Sequence, residues 1–544
     1  MLGLMMQQQL LISSIIRQAT ALSPQQEIVS RRIEADHADG PIHRYTYRDC
    51  YRRVGQLAHA LKKLGVKPGD RIGTLAWNGY RHVELYYAIS GLGAIVHTVN
   101  PRLFAQQIEY IINHAEDSLL FVDLSFVSLL EELAESIPTV TRIVLLCEDA
   151  HAPVNAKFKF TTYESLLAGQ PDEYDWPEFD ENSAACLCYT SGTTGNPKGV
   201  LYSHRSTVIH ALASCVPNGL NLSRDTAVLP VVPMYHVSAW GIPYSGLIAG
   251  AKLVLPGAGM DGAALYEMIM AEKVNLMLGV ATVWLNLLTY LDKTGQKLTP
   301  GIIVGLGGGA TPLAIVEKFR EQHDCYVMPL WGMTETSPLA TFGGRGREVD
   351  AMPVEQRNRV QTSAGRGIYG IELEIFDAND QPLPHDGSAS GELRVRGPWI
   401  LREYYRNDTQ ACVNGWFETG DVATIDSLGY LRIVDRKKDV IKSGGEWISS
   451  IALENGALSH QSVHEACVVG IPHPKWDERP LLLVVLEEGH TLDKAALTAH
   501  LGERVAKWWL PDDIIAVDEL PHTATGKLHK VPLRERFRDH YAGK

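Results

Sequence analysis

The chain has 544 residues, of which 45% are hydrophobic and 21% charged, and its formal net charge is −13. This length exceeds that of one ordinary compact domain, so we expect at least two domains. The acidic balance excludes nucleic acid as the main partner, because the chain has no basic excess with which to displace phosphate counterions. Residues 1–16 carry no charge and only a short apolar run. This pattern predicts neither a signal peptide nor a transmembrane segment.

Helical and extended patterns alternate through the first two-thirds of the chain. A helical pattern ends at 65–70, a strand is predicted at 71–76, and a helix follows at 80–92. Similar alternation recurs at 108–122 and at 264–278. Short β-branched runs between helices indicate parallel sheets that are covered on both faces.

The pattern changes after about residue 365. Short strands such as 392–397 then predominate, and a final portion has predicted strands at 463–471 and 481–486 and a helix at 494–508. We therefore predict an α/β fold with a large N-terminal domain, residues 1–434, of doubly covered, mostly parallel sheets plus a small β-barrel-like part. A small mobile α+β domain, residues 435–544, follows it.

The eight cysteines are scattered and form no CxxC pair. Cys186 and Cys188 lie in an apolar run, which is more typical of a buried strand than of a metal site. Reduced thiols are the default for a cytosolic protein, so we expect the protein to be cytoplasmic.

The most informative segment follows the apolar run 184–189 and reads Thr190-Ser191-Gly192-Thr193-Thr194-Gly195-Asn196-Pro197-Lys198. Its glycines let backbone N–H groups approach an anion, and its hydroxyl groups add further donors. Lys198 adds a full positive charge, so the loop is suited to a polyphosphate. It differs from the common P-loop, because Pro197 and the following Gly199 favour a turn and then an extended segment.

This segment resembles the phosphate-binding signature of the adenylate-forming enzymes, which comprise acyl-CoA synthetases, luciferases and the adenylation domains of peptide synthetases. Members activate a carboxylic acid with ATP and usually pass the acyl group to a thiol. The resemblance implies ATP, Mg²⁺ and coenzyme A as cofactor and co-substrates, with a small-molecule carboxylic acid as the substrate.

Further motifs carry the same resemblance along the chain. They are Gly307-Gly308-Gly309-Ala310, Trp331-Gly332-Met333-Thr334-Glu335, Asp421 in a Thr-Gly-Asp string, Arg436 in Asp-Arg-Lys-Lys-Asp, and Lys527 in Thr-Gly-Lys-Leu-His-Lys. The resemblance implies that Gly308, Gly309, Ala310 and residues Trp331 to Thr334 lie against the adenine and the α-phosphate. Glu335 would bind Mg²⁺ with Thr190 as its hydroxyl partner, and Asp421 and Arg436 would bind the ribose. Lys527 would be the catalytic lysine, with Lys442 and Trp447 near the nucleotide.

The family transfers the acyl group after its C-terminal domain rotates about one hinge residue. The matching position is Lys438, two residues after the ribose arginine. Ser443, Gly444 and Gly445 would then line the tunnel for coenzyme A.

The segment 231–243 is expected to line the acyl site and contains no acidic residue. By resemblance, His236 lies beside the reacting carboxylate, and Val237, Trp240 and Gly307 contact the acyl group, with Trp240 as a gate. The strongest resemblance is to bacterial medium- and long-chain fatty-acid–CoA ligases. A ligase for a short acid such as 3-methylmercaptopropionate, and a luciferase-like or other adenylating enzyme, remain as alternatives. An amino-terminal arm that resembles the dimerising segment of the fatty-acid ligases suggests a homodimer.

Overall fold

The computed structural model describes residues 1, 3–34, 40–190, 196–344, 346–408, 410–443, 446–522 and 528–542. The α-helices are α1 (Ile12–Leu22), α2 (Tyr47–Lys63), α3 (Tyr80–Gly91), α4 (Ala105–Ala115), α5 (Val127–Leu133), α6 (Tyr163–Leu167), α7 (His204–Cys215), α8 (Ile242–Ala249), α9 (Gly262–Ala271), α10 (Ala281–Thr294), α11 (Leu313–His323), α12 (Arg347–Asp350), α13 (Val354–Gln361), α14 (Ser450–Leu458), α15 (Lys494–Gly502) and α16 (Lys530–Arg536). Short 3-10 helices lie at Leu124–Phe126, Asp149–His151, Val237–Gly241, Thr334–Thr336 and Lys507–Trp509.

The strands are β1 (Glu27–Arg31), β2 (Ile42–Thr46), β3 (Arg71–Leu75), β4 (Ile95–Thr98), β5 (Leu119–Val122), β6 (Arg142–Leu145), β7 (Thr161–Thr162), β8 (Ala184–Tyr189), β9 (Gly199–Ser203), β10 (Ala227–Pro230), β11 (Lys252–Leu255), β12 (Leu276–Gly279), β13 (Ile303–Leu306), β14 (Tyr326–Gly332), β15 (Leu339–Phe342), β16 (Arg366–Gly367), β17 (Glu372–Phe376), β18 (Gly391–Arg396), β19 (Cys412–Val413), β20 (Trp416–Ile425), β21 (Leu431–Arg436), β22 (Ile441–Ser443), β23 (Glu446–Ile448), β24 (Val463–His473), β25 (Asp477–Leu486) and β26 (Asp513–Ala516). Across the described ranges they form four sheets.

Two large sheets are mostly parallel. One has the order β16-β15-β14-β13-β12-β10-β11-β1-β2, and the other has the order β7-β6-β5-β3-β4-β8-β9. Antiparallel pairing occurs only toward their edges in the described strands, at β1–β2, β14–β15, β15–β16 and β8–β9. Two of the predicted nucleotide motifs, 190–198 and 331–335, therefore lie where a parallel sheet gives way to an antiparallel edge.

Helices cover both faces of these sheets. Because successive side chains of a strand point to opposite faces, neighbouring residues of β10 enter different cores. Val228 packs into the core that contains α1, α2, α3, α7 and α8, whereas Leu229 packs with α9, α10 and α11. In β5, Phe121 joins the first core and Leu120 packs with α4 and α5. The prediction of doubly covered parallel sheets is confirmed.

Local signals in the sequence fix several element boundaries. The Thr46 hydroxyl accepts the Asp49 backbone N–H at 3.2 Å, and the Asp49 carboxylate accepts the Thr46 N–H at 3.0 Å. This reciprocal capping box satisfies N–H groups that the first turn of α2 leaves without a helical partner. The predicted helix 494–508 is too long, since α15 ends at Gly502, a residue that loses more backbone entropy in a helix than any other.

The remaining strands form two smaller sheets. β17 to β21 make an antiparallel sheet, and β22 to β26 make a second sheet that packs with α14, α15 and α16. The apolar cores of the large portion include residues up to Ile433, and those of the C-terminal portion begin at Ile441. All eight cysteines are free, and Cys186 and Cys188 are buried in β8 as predicted. No helix in the described ranges is long and apolar enough to cross a membrane.

Candidate active site

Thr190 and Lys198 close the neck of the predicted phosphate loop. Strands β8 and β9 pair antiparallel up to Tyr189 and Gly199. The Thr190 N–H donates to the Lys198 carbonyl at 2.9 Å, and the Lys198 N–H donates to the Thr190 hydroxyl at 3.2 Å. The predicted metal hydroxyl and the predicted phosphate lysine are thus held side by side. The loop residues Ser191, Gly192, Thr193, Thr194 and Gly195 lie outside the described residues.

Glu335 lies in the 3-10 turn that follows β14, and it is only 6% exposed. The Tyr404 hydroxyl donates a hydrogen bond to Glu335 Oε1 at 2.8 Å. The Lys198 ammonium nitrogen lies 4.8 Å from the centroid of the Tyr404 ring. One tyrosine therefore connects the predicted metal carboxylate with the predicted phosphate lysine. Sequence reasoning missed Tyr404, because it lies 69 residues from Glu335 and outside every recognised motif.

The backbone around Glu335 explains why its motif has these residues. A Cβ atom at Gly332 would collide with the carbonyl oxygen of Pro338, so only glycine fits there. The Met333 N–H donates to that same carbonyl at 3.0 Å. The Thr334 carbonyl accepts the Tyr202 hydroxyl of β9 at 2.7 Å, which ties this turn to the phosphate-loop hairpin.

Asp421 joins the predicted adenine motif to the predicted ribose arginine. Its carboxylate accepts the indole N–H of Trp331 at 3.1 Å and lies 2.8 Å from Nε of Arg436. Asp421 and Arg436 are direct partners in the β20–β21 pairing, so the sheet register itself places them together. Asp421 is 2% exposed, and burying a carboxylate is costly unless hydrogen bonds and an opposite charge accompany it. Three predicted nucleotide residues thus meet in one place.

The glycine run lies between the nucleotide motifs and the predicted acyl segment. A Cβ atom at Gly307 would lie 2.9 Å from the Leu330 carbonyl and 3.0 Å from the Trp240 ring. Glycine at this position therefore lets the indole pack directly against the strand end. Gly308 has a left-handed φ of +81°, whereas Gly309 and Ala310 are exposed.

The predicted acyl segment has a strained backbone. Val237, Ser238, Ala239 and Trp240 have φ values between +44° and +56°, in the left-handed region. This conformation costs about 1–2 kcal/mol per non-glycine residue, so the surrounding structure must hold the turn in place. Trp240 is 6% exposed, and His236 is partly buried at the start of the turn.

Asn78 holds the chain that leads into this turn. Its buried side chain donates to the carbonyls of Pro230 and Val232 at 2.8 and 2.9 Å and accepts the Met234 N–H at 2.6 Å. No recognised motif singles out Asn78, because its three partners lie more than 150 residues away.

The C-terminal site candidates have partners within their own portion of the chain. The Lys442 N–H donates to the Glu478 carboxylate at 3.0 Å, and Arg479 donates to the Ser443 hydroxyl at 3.2 Å. Burial lowers the pKa of Lys438, which follows the end of β21. Gly444, Gly445 and Lys527 lie outside the described residues, as does the side chain of Trp447 in β23.

The residues present fit magnesium. Within the described ranges, no group of three or more histidine, cysteine or acidic residues could hold a metal by itself. Magnesium takes only one or two protein oxygens when substrate phosphates supply the others, so one buried carboxylate and one hydroxyl are a suitable set. Glu335 and Thr190 would provide such a set.

A match to the AMP-binding enzyme family covers residues 18–405, and a match to the AMP-binding enzyme C-terminal domain covers residues 452–527. The chain is 46% identical over 547 residues to 3-methylmercaptopropionyl-CoA ligase of Ruegeria lacuscaerulensis, covering 100% of both chains. It is 45% identical over 544 residues to medium-chain-fatty-acid–CoA ligase of Ectopseudomonas oleovorans, covering 99% and 98%. The solved structure of the anthranilate CoA ligase AuaEII with anthranoyl-AMP has the same fold, with a TM-score of 0.84, 23% identity and 98% coverage of both chains.

Fold, motifs and relatives together define an AMP-forming acid–CoA ligase, a class that uses ATP, Mg²⁺ and coenzyme A. The chain belongs to the AMP-binding enzyme family.

Proposed function

We propose that the acid is a medium- to long-chain fatty acid, which the enzyme converts to an acyl-adenylate and then to acyl-CoA, AMP and pyrophosphate. The observation that carries this proposal is the segment 231–243, which is largely buried and contains no acidic residue. Such a wall has no charge to pair with an ammonium or second carboxylate on the substrate, so it favours an apolar tail.

The first step needs charge neutralisation more than proton transfer. A fatty acid is already ionised at neutral pH, because its pKa is near that of glutamic acid, about 4.3. A carboxylate oxygen attacks the α-phosphorus, and the bond to pyrophosphate breaks. We assign Lys198, Lys527 and the donors of the loop 190–195 to the charge on the phosphates, and His236 to the reacting carboxylate. Mg²⁺ held by Glu335 and Thr190 would supply further neutralising charge.

The assigned nucleotide site extends from the phosphate loop to the domain junction. Adenine would lie against residues 308–310 and 331–334. Asp421 and Arg436 would bind the ribose hydroxyls. The residues assigned to these contacts, besides the phosphate loop, are Gly308, Gly309, Ala310, Trp331, Gly332, Met333, Thr334, Lys442 and Trp447. Support comes from the contacts of Asp421 with Trp331 and Arg436, which join the predicted adenine and ribose groups.

The second step requires coenzyme A to replace Lys527 near the acyl carbon. We assign the hinge to Lys438, the tunnel to Ser443, Gly444 and Gly445, and the domain boundary to residues 434 and 435. In support, the apolar cores of the two portions stop at Ile433 and resume at Ile441. Separate cores are what a rotation between two rigid domains requires.

A short thioether acid is the second candidate substrate. The relative from Ruegeria lacuscaerulensis is named for 3-methylmercaptopropionate. The buried position of Trp240 against Gly307 also favours a short acyl site, because an indole there occupies the space that a long chain would need.

The proposal also includes the oligomeric state and the cellular location. A homodimer is supported by Leu4, Met5 and Met6, which are exposed apolar residues near the amino terminus. A cytoplasmic location is supported by the eight free thiols. Light scattering of the purified protein would test the dimer, and cell fractionation would test the location.

ATP–pyrophosphate exchange tests the function directly. We would measure it with acids from propionate through 3-methylmercaptopropionate to palmitate, and thioester formation with and without coenzyme A. Exchange that is maximal with a medium or long chain, with thioester only when coenzyme A is present, is the expected result. Maximal activity with 3-methylmercaptopropionate would select the second candidate. Exchange with no acid of the series would contradict both.

A further inference from the structure

Tyr404 lies between two oppositely charged groups of the site, and no motif accounts for it. Its hydroxyl donates to Glu335 Oε1 at 2.8 Å, and its ring faces the Lys198 ammonium at 4.8 Å. The side chain is about half-buried. A phenol has both an apolar face for a cation and a polar tip for a carboxylate, so one residue can serve both partners.

The backbone on either side of Tyr404 is fixed by the same two motifs. The Leu401 N–H donates to the Glu335 carbonyl at 2.8 Å, and the Tyr405 N–H donates to the Gly199 carbonyl at 2.8 Å. Gly199 directly follows Lys198 at the start of β9. The segment 401–405 is therefore pinned at one end to the turn of Glu335 and at the other to the strand of Lys198.

The Tyr404 hydroxyl is a dependable donor. A phenol hydroxyl carries one proton, and the nearby Glu335 carboxylate is an acceptor within hydrogen-bond distance of it. Glu335 Oε1 accepts this bond, which restrains rotation of the carboxyl group. Partners of this kind orient metal-binding side chains, and their loss typically weakens metal binding about 10–100-fold.

We propose that Tyr404 is a positioning residue that sets the Glu335 carboxylate for Mg²⁺ through its hydroxyl and the Lys198 ammonium for the triphosphate through its ring. This inference rests on the proposed nucleotide site but is independent of which acid the enzyme activates. The two functions separate by mutation, because Tyr404→Phe removes only the hydroxyl, whereas Tyr404→Leu removes the ring as well.

The test is calorimetric binding of ATP by the full-length protein, once with excess Mg²⁺ and once with EDTA. The ratio of ATP affinity with Mg²⁺ to ATP affinity in EDTA is expected to fall about tenfold or more in Tyr404→Phe. The affinity of this variant for ATP in EDTA is expected to stay at the wild-type value. Tyr404→Leu is expected to lose affinity under both conditions. Tyr405→Phe is the matched control, since it removes the neighbouring phenol hydroxyl, and it is expected to bind like the wild type.

Thermal unfolding of each variant verifies that it is folded, and Tyr404→Phe alone decides if Tyr404→Leu does not fold. Wild-type magnesium dependence in Tyr404→Phe, or the same loss in Tyr405→Phe, would overturn the proposal. A protein that activates no acid but shows the expected binding pattern would refute the proposed substrate and leave the role of Tyr404 supported.

Discussion

The large portion and the C-terminal portion hold their site residues in different ways. In the large portion, Glu335, Tyr404 and Asp421 are bonded to partners across distant segments, and they lie beside extensive apolar cores. The C-terminal portion is attached through polar contacts near the junction. The Ser449 hydroxyl donates to the Val434 carbonyl across the boundary, and the Ser450 N–H donates to the Asp435 carboxylate beside it at 2.6 Å.

This difference explains how one site can serve two steps. Apolar burial stabilises a surface by about 25 cal/mol for each Å² removed from water, so separating a large apolar interface would be costly. A polar contact exchanges with water for a net cost of only about 0.5–1.5 kcal/mol. Under the proposed rotation, the assigned nucleotide site would therefore stay assembled while the C-terminal domain moves.

Lys438→Pro is expected to have the largest effect. Proline fixes φ near −65° and so blocks rotation at the proposed hinge, which should spare adenylation but abolish thioester formation. The measurement is ATP–pyrophosphate exchange beside acyl-CoA production. Lys438→Ala is the control, because it removes the side chain but leaves the backbone free. Equal loss of both steps in the proline variant would contradict a hinge at this residue.

Lys530→Met is expected to have the next largest effect, on stability. The Lys530 ammonium is buried, lies 2.7 Å from the Glu454 carboxylate and donates to the Ser450 hydroxyl at 2.6 Å. Burial by itself would lower the pKa of Lys530, but the carboxylates of Glu454 and Asp435 outweigh it and raise that pKa. Removing the cation leaves these buried carboxylates without their counter-charge and should cost about 3–5 kcal/mol in the free energy of unfolding.

The pH dependence sharpens this prediction. Burial raises the pKa of both Asp435 and Glu454. When a carboxyl group has a higher pKa in the folded state, the free energy of unfolding of the protein falls as pH rises through that folded-state pKa. The loss in the free energy of unfolding that Lys530→Met causes should therefore be smaller near pH 5 than near pH 8. Denaturant unfolding at both values measures it, with the exposed Lys507→Met as control. A deficit that does not depend on pH would contradict the charge argument.

Lys527→Ala should slow adenylation by a hundredfold or more, which corresponds to about 2.7–4 kcal/mol for one preorganised donor. Its side chain belongs to the C-terminal portion, so this variant tests whether that portion takes part in the first step. ATP–pyrophosphate exchange gives the rate, and thermal unfolding verifies the fold. Lys507→Ala is the matched control, and an unchanged exchange rate in Lys527→Ala would refute its catalytic role.

Trp240→Ala is expected to have the smallest effect and concerns the large portion alone. Removing the indole beside Gly307 should shift the ratio of kcat/KM for palmitate over octanoate about tenfold toward palmitate, a size typical of discrimination in hydrophobic pockets. Trp476→Ala, at an exposed tryptophan of the C-terminal portion, serves as the control. A chain-length profile that does not change in Trp240→Ala would contradict a gating role for Trp240.

The sequence predicted much of the fold because its signals are local. The strand at 71–76 and the helix at 80–92 agree within a residue or two with Arg71–Leu75 and Tyr80–Gly91. Glycine and proline punctuation and hydrophobic periodicity act within one element, so a linear chain displays them. The predicted helix 494–508 is longer than the observed one. The sequence pattern continues past Gly502, whereas the helical backbone of α15 ends there.

The sequence by itself determined the class of enzyme, because the strings that contain Lys198, Glu335 and Lys527 resemble the motifs of one family in their order along the chain. Only the tertiary structure decided how these strings meet. Tyr404 reaches Glu335, Trp331 reaches Asp421, and Asn78 holds the segment before the acyl turn through contacts between residues far apart in the chain. Such contacts depend on which distant strands pair, whereas sequence patterns such as hydrophobic periodicity report on one element at a time.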